Sequence, residues 1–266
     1  MTSGSGISRT MRRIRILFRM VIFGILLSSC VNSMLTPYST QADSSPTPTP
    51  TPTFAIPTIA ASETLTPSPP PSATPDPQAG LGEVIFLDDF SENLGWDLGE
   101  DGTGATSVRQ GKMIITLHES SGFRYALAPV QPLVNFYLEV EVRPELCQPD
   151  DEFGILFRLN AQFEYYRFAL NCGGQTKVNR SLQNGARALM PLTNTAAAIA
   201  GPMAKNILAV RASGDQFRIW INGIEIFNLR DLSLQSGLVG LFVRTGRGNQ
   251  ATVSFDNFLL REILSD

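Results

Sequence analysis

From Leu81 onward, short runs rich in β-branched and aromatic residues recur along the chain, broken by Gly, Asn, Asp and Pro. This pattern predicts strands over 84–87, 112–118, 123–127, 134–143, 153–159, 163–170, 176–182, 206–212, 216–221, 224–229, 238–244 and 252–260. Helical spacing is scarcely visible, and the Ala-rich stretch 195–200 reads as a loop or one helical turn. Asn222-Gly223, set between Phe217-Arg218-Ile219-Trp220-Ile221 and Ile224-Glu225-Ile226-Phe227, is a hairpin signal, because a type I′ turn needs positive φ twice. Strands at this spacing over 81–266 imply an all-β domain of two packed antiparallel sheets.

Alternation along a strand assigns faces. With Ala161-Gln162 as a two-residue turn, Phe157 pairs with Tyr166, Ile155 with Phe168 and Phe153 with Leu170, which puts the large apolar groups on one side. Arg158, Tyr165 and Arg167 then lie on the other. In 134–143, Phe136, Leu138, Val140 and Val142 point inward, whereas Tyr137, Glu139, Glu141 and Arg143 point outward. If these strands share a sheet, its outer face carries two carboxylates, three arginines and two tyrosines. Such a face suits sugars, with tyrosine against apolar ring faces and charged groups on hydroxyls. It also suits a solvated face of weak cross-strand ion pairs. Arg218 and Trp220 share an outward face in the same way, and an outward Trp220 suggests either ligand stacking or a cap over the core beneath a loop.

The N-terminal part is a different kind of chain. Five arginines, Arg9, Arg12, Arg13, Arg15 and Arg19, precede the apolar run Met20-Val21-Ile22-Phe23-Gly24-Ile25-Leu26-Leu27 and the small pair Ser28-Ser29, the order of an export signal. A membrane-spanning helix needs about 20 apolar residues, more than this run supplies. Leu27-Ser28-Ser29-Cys30 resembles the lipobox of bacterial lipoproteins. The resemblance implies a signal over 1–29, diacylation of Cys30, and an exported protein anchored to the cell membrane by lipid and facing outside the cytoplasm. Two or three acyl chains hold lastingly, since each buried CH2 contributes roughly 0.8 kcal/mol.

Twelve of the 18 prolines fall between Pro37 and Pro77. Alternating Thr-Pro favours extended polyproline II, so 30–80 is expected to be a disordered, semi-rigid stalk reaching on the order of 140 Å. Residues 81–266 carry 16 Lys and Arg against 21 Asp and Glu, which argues against nucleic acid as the partner of the folded part.

Several segments together resemble the concanavalin A-like lectin/glucanase sandwich, in its laminin-G-like and 3-keto-disaccharide-hydrolase-like branch. They are Asp88-Asp89-Phe90-Ser91 with Gly95-Trp96, Phe136 to Arg143, Phe153-Gly154-Ile155-Leu156-Phe157-Arg158, the Asn222-Gly223 hairpin, Ser236-Gly237-Leu238-Val239-Gly240-Leu241, and Val253-Ser254-Phe255-Asp256-Asn257-Phe258. The resemblance implies a jelly roll and, more loosely, glycan or surface contacts. It places Trp96 in the opening turn of the fold, a structural position. It also suggests a structural calcium at Asp89 and Asp256, although calcium takes six to eight oxygens and no cofactor is required by anything else in the chain.

Glycosidases of similar fold carry Glu-x-Asp-x-x-Glu on one strand. Here the run is Glu139-Val140-Glu141-Val142-Arg143-Pro144-Glu145, without the central Asp and with proline before the last Glu. Glu139 and Glu141 are about 7 Å apart on one strand face and remain the only candidate catalytic pair. His118 is the sole histidine and reads as a strand-end residue. With Cys30 lipidated, Cys147 and Cys172 remain as a pair in an exported domain, and extending the 153–170 pairing puts residue 151 opposite 172, within plausible reach for a disulfide worth roughly 3 kcal/mol. The leading expectation is a cell-surface lipoprotein whose sandwich binds carbohydrate, cell-wall polymer or a surface protein without catalysis. A glycoside-acting hydrolase and a structural or adhesive domain are the alternatives.

Overall fold

The computed structural model describes residues 76–248 and 250–264. The expected signal segment, Cys30 and nearly all of the stalk lie outside the described residues. The chain forms β1 (Leu81–Asp88), β2 (Gly99–Asp101), β3 (Gly104–Val108), β4 (Met113–Leu117), β5 (Phe123–Leu127), β6 (Phe136–Leu146), β7 (Glu152–Leu159) and β8 (Tyr165–Asn171). There follow β9 (Gln175–Leu182), β10 (Gly185–Asn194), β11 (Asn206–Ser213), β12 (Gln216–Ile221), β13 (Ile224–Arg230), β14 (Leu238–Arg244) and β15 (Ala251–Ile263). One sheet of nine strands runs β13-β12-β11-β6-β15-β4-β3-β2, with β1 also paired to β15. A second, of six strands, runs β10-β9-β8-β7-β14-β5. All named pairings are antiparallel, as the strand pattern predicted.

The core lies between the sheets and follows from alternation. Phe136, Leu138, Val140 and Val142 of β6 are fully buried, and Phe136 meets Phe157 of β7 edge-on at 6.4 Å. The β7–β8 hairpin has the expected register, Phe153 to Leu170, Ile155 to Phe168 and Phe157 to Tyr166. Its connection is longer than two residues, since Asn160 bonds both Phe163 and Glu164 and Phe163 takes φ 61°. At the β12–β13 turn Asn222 and Gly223 take φ 51° and 77°, the twofold positive φ of a type I′ turn. Cys172 N–H donates to Asp151 C=O at 3.1 Å, which carries the hairpin ladder outward, and Cys147 and Cys172 are joined by a disulfide with Cα atoms 6.2 Å apart.

Three strands have no counterpart in the sequence reading. β2, Gly-Glu-Asp, is the sheet edge, and β3, Gly-Ala-Thr-Ser-Val, is paired between it and β4; these short runs of small and polar residues carry no apolar alternation. Along β10, another edge, Ala-Leu-Met and Pro191 give no strand signal, and the strand is held by its ladder to β9.

Candidate functional site

The polar face expected on one sheet is divided between two. Strand β6 belongs to the nine-stranded sheet, and β7 and β8 belong to the six-stranded one, so their outward side chains lie on opposite sides of the sandwich. On the nine-stranded side, Tyr137 and Trp220 do point away from the core, but both are buried, at 0% and 1% exposure. The cause is the chain entering β1: Leu81 packs on Tyr137, Ala209 and Trp220, and Arg211 donates to Ala79 C=O. Trp220 is therefore not a stacking platform. Its ring is covered further by the Arg218 guanidinium at 5.1 Å, which also pairs with Glu225. Tyr137 donates its hydroxyl to Glu139, and burial together with that carboxylate holds its pKa well above the usual phenol value. Glu141 pairs with Lys205 at 2.9 Å, and Arg143 donates to Met203 C=O at 3.3 Å.

Arg158 does not face solvent at all. A bulge at Arg158, with φ 53°, shifts the β7–β14 register between Leu159 and Leu156 and reverses the alternation. Its side chain is fully buried. The guanidinium lies 4.8 Å over the Phe217 ring and donates to the carbonyls of Leu234, Val134 and Gly214. Gly237 sits against the bulge so closely that a β-carbon there would be 2.6 Å from Leu159 O.

The outer face of the six-stranded sheet gathers the chemistry. Phe123 and Tyr125 of β5, Phe242 of β14, and Phe163 and Tyr165 of the β7–β8 hairpin form one aromatic cluster. Ring centroids are 5.8 Å apart for Phe123 and Phe242, 5.5 Å for Tyr125 and Phe163, and 5.3 Å for Phe163 and Tyr165. Tyr165 faces outward as expected but is buried within the cluster, leaving Tyr125 and Phe163, 36% and 44% exposed, as its surface. Phe242 is in register with Gly154, and Gly154 with Ala169. These two small residues leave room for the Arg167 guanidinium to lie 5.3 Å over the Phe242 ring. Beside it the Glu152 carboxylate meets Arg167 at 3.3 Å, Lys177 at 2.6 Å and Arg244 at 3.3 Å.

On the other flank of the cluster, Phe123 and Tyr125 border a cleft of about 310 Å³ with Asp97, Asp101, Thr103 and Arg124 on its polar wall. Bonds from the Thr103 hydroxyl and N–H, then from Arg124, hold Asp101 well below the usual carboxylate range. Aromatic rings beside fixed donors and acceptors are an arrangement that binds ligands with an apolar face and a polar edge.

No family model matches the chain, and no curated protein matches it. Solved structures do. A carbohydrate-binding module, CBM66, from Bacillus subtilis matches at TM-score 0.52 and 18% identity, covering 63% of this chain and 96% of its own. A Bacillus licheniformis β-glucanase matches at 0.52 and 12%, covering 66% and 97%. A Bacillus subtilis protein of unknown function with a galectin-like fold matches at 0.54 and 10%, covering 70% and 99%. The fold is the concanavalin A-like sandwich. At these identities the likeness concerns the fold alone.

Within this sandwich, Asp88 rather than Asp89 is the buried acid of the opening segment. It accepts from Phe90 N–H and from Trp96 Nε1–H, both at 2.7 Å, and Trp96 is a core residue. Asp89 accepts from Ser91 N–H at 3.0 Å, and Asp256 from its neighbour Asn257 N–H at 2.8 Å. No three or more His, Cys, Asp or Glu side chains among the described residues are grouped as metal ligands.

Of the six-stranded face, strand alternation places Tyr165 and Arg167 from the sequence. Phe123, Tyr125, Phe163, Phe242, Glu152, Lys177 and Arg244 join them only in the structure. A signal existed in Phe123-Arg124-Tyr125-Ala126-Leu127, where alternation puts both rings on the side opposite Ala126, which is core.

Proposed function

We propose that the protein is a non-catalytic glycan-binding module whose ligand lies across the outer face of the six-stranded sheet. The observation that carries this reading is the convergence of five aromatic rings on that face, with Tyr125 and Phe163 exposed beside a cleft walled by Asp97, Asp101 and Arg124. Sugars present apolar C–H faces to such rings and hydroxyls to such carboxylates and guanidinium groups. The fold shared with a carbohydrate-binding module and with glucanases supports the same reading. A hydrolase built on Glu139 and Glu141 has less support, because Tyr137 and Lys205 already engage those carboxylates. Glycan-array and polysaccharide pull-down binding of the full chain is expected to be saturable. Tyr125→Ala and Phe163→Ala should each weaken it by about tenfold, the equivalent of about 1.4 kcal/mol, with circular dichroism unchanged. An absence of binding to any glycan by folded protein refutes the reading.

The sequence before Asp76 supports display of this module at the cell surface on a lipid-anchored stalk, with cell-wall polymer as the natural setting of the ligand. Labelling of the expressed chain with radioactive palmitate should be lost in Cys30→Ser. Equal incorporation into that variant would refute the anchor.

A further inference from the structure

Among the ion pairs of the described residues, Asp101, Glu141, Asp215, Glu225 and Asp231 each meet one cation, whereas Glu152 meets three. The Glu152 side chain is only 8% exposed and lies beneath Arg167, Lys177 and Arg244. The surface of this cluster is consequently cationic, with three positive charges over one negative. The adjoining loops add the Asp150 and Asp151 carboxylates, which accept from the Arg247 and Gly246 N–H groups, and the Arg247 side chain, so over the wider patch the excess is one positive charge, four cations against three carboxylates. Arg167 Nε is buried without a hydrogen-bond partner, while Arg244 is 38% exposed at the rim. The cationic excess is set into a domain whose acidic residues outnumber its basic ones, 21 to 16 over 81–266, so it is a local feature rather than the tail of a general charge. Arg167 joins it directly to the aromatic cluster through the Phe242 ring.

We infer that the ligand of this face is an anionic glycan, its carboxylate, sulfate or phosphate group held by Lys177 and Arg244 while a neighbouring sugar ring stacks on the aromatic cluster. The inference rests on the glycan reading above and adds the charge of the ligand. Partly buried cations with one shared carboxylate have unused bonding capacity, and charge-assisted bonds to an incoming anion are the strongest use of it.

The test compares polymers of one backbone with and without charge: polygalacturonate against its methyl ester, and dextran sulfate against dextran, bound to the full chain. The anionic member of at least one pair should bind about tenfold more tightly at low ionic strength, and the gap should close as salt screens it. In Lys177→Gln/Arg244→Gln the gap should shrink to about twofold or less, the anionic polymer losing far more affinity than the neutral one. Should the double variant fail to fold, Arg244→Gln, the most exposed of the three, carries the comparison against wild type. Equal binding of charged and neutral partners, or a preference that survives the substitutions, overturns the anionic inference and leaves the glycan reading standing. Absence of binding to all four polymers and to the array overturns both.

Discussion

Replacing Arg158 by methionine is expected to lower the free energy of unfolding by about 3–5 kcal/mol, measured by urea denaturation of the full chain. Methionine keeps most of the volume and removes the charge, so the effect isolates the guanidinium. That group donates at 2.8 Å to Leu234 C=O, 2.8 Å to Val134 C=O and 2.6 Å to Gly214 C=O. These carbonyls belong to three separate connections: the one after β13, the one before β6, and the β11–β12 turn. Without the cation they are left facing a buried space, and each orphaned buried acceptor costs about 1–3 kcal/mol. The stacking on Phe217 is lost as well. Arg158→Lys should recover only part of the loss, because a single ammonium on a flexible stem does not reproduce a planar fork. A loss below about 1 kcal/mol in the methionine variant would show that water or a shifted backbone satisfies the carbonyls instead.

Trp96→Ala is expected to cost about 3–5 kcal/mol, read as a fall in the thermal midpoint and in the denaturant midpoint together. Trp96 is 3% exposed and sits where the first and last strands meet. Its ring lies 5.2 Å from Phe258 of β15 at 88°, 5.5 Å from Phe90 and 6.2 Å from Phe86 of β1. Truncation leaves a cavity among three phenylalanines and removes the Nε1–H donor from the buried Asp88 carboxylate. Trp96→Phe keeps most of the packing and loses the hydrogen bond, so it should cost about 1–3 kcal/mol. Equal losses in the two variants would mean that the Asp88 bond, rather than packing, dominates.

The fold was legible where local signals and alternation agreed. The β7–β8 register followed from apolar positions two apart on both strands, and the β12–β13 turn from Asn-Gly, because each is decided by residues close in sequence. Sheet membership was not legible. The pairing of β6 with β15 and of β7 with β14 joins strands about a hundred residues apart, and nothing in the alternation of β6 distinguishes one sheet's outer face from the other's. That is why a single polar face was expected where the molecule has two.

The misplacements within those faces have particular causes. Alternation carried Arg158 outward because a bulge reverses it and leaves no trace in residue type. Trp220 and Tyr137 were assigned to the correct side of their sheet, but the covering segment that ends in Leu81 comes from the other end of the domain. The aromatic cluster escaped notice for a different reason. Strands such as β14, Leu-Val-Gly-Leu-Phe-Val-Arg, are apolar on both sides, so Phe242 looks like core until its neighbours are known. Tyr165 and Arg167 stood out because they lie on a strand whose other side is unambiguous, whereas Phe123 and Tyr125 carried the weaker signal of alternation against Ala126.

The central claim is that ligand binds on the six-stranded side of the sandwich. Its most direct test is calorimetric titration of one glycan retained on the array into wild type, Tyr125→Ala and Glu141→Gln, the last placing its change on the nine-stranded side. The account predicts about tenfold weaker binding for Tyr125→Ala and unchanged binding for Glu141→Gln. Unchanged binding in Tyr125→Ala together with a loss in Glu141→Gln would move the site to the opposite face and contradict it.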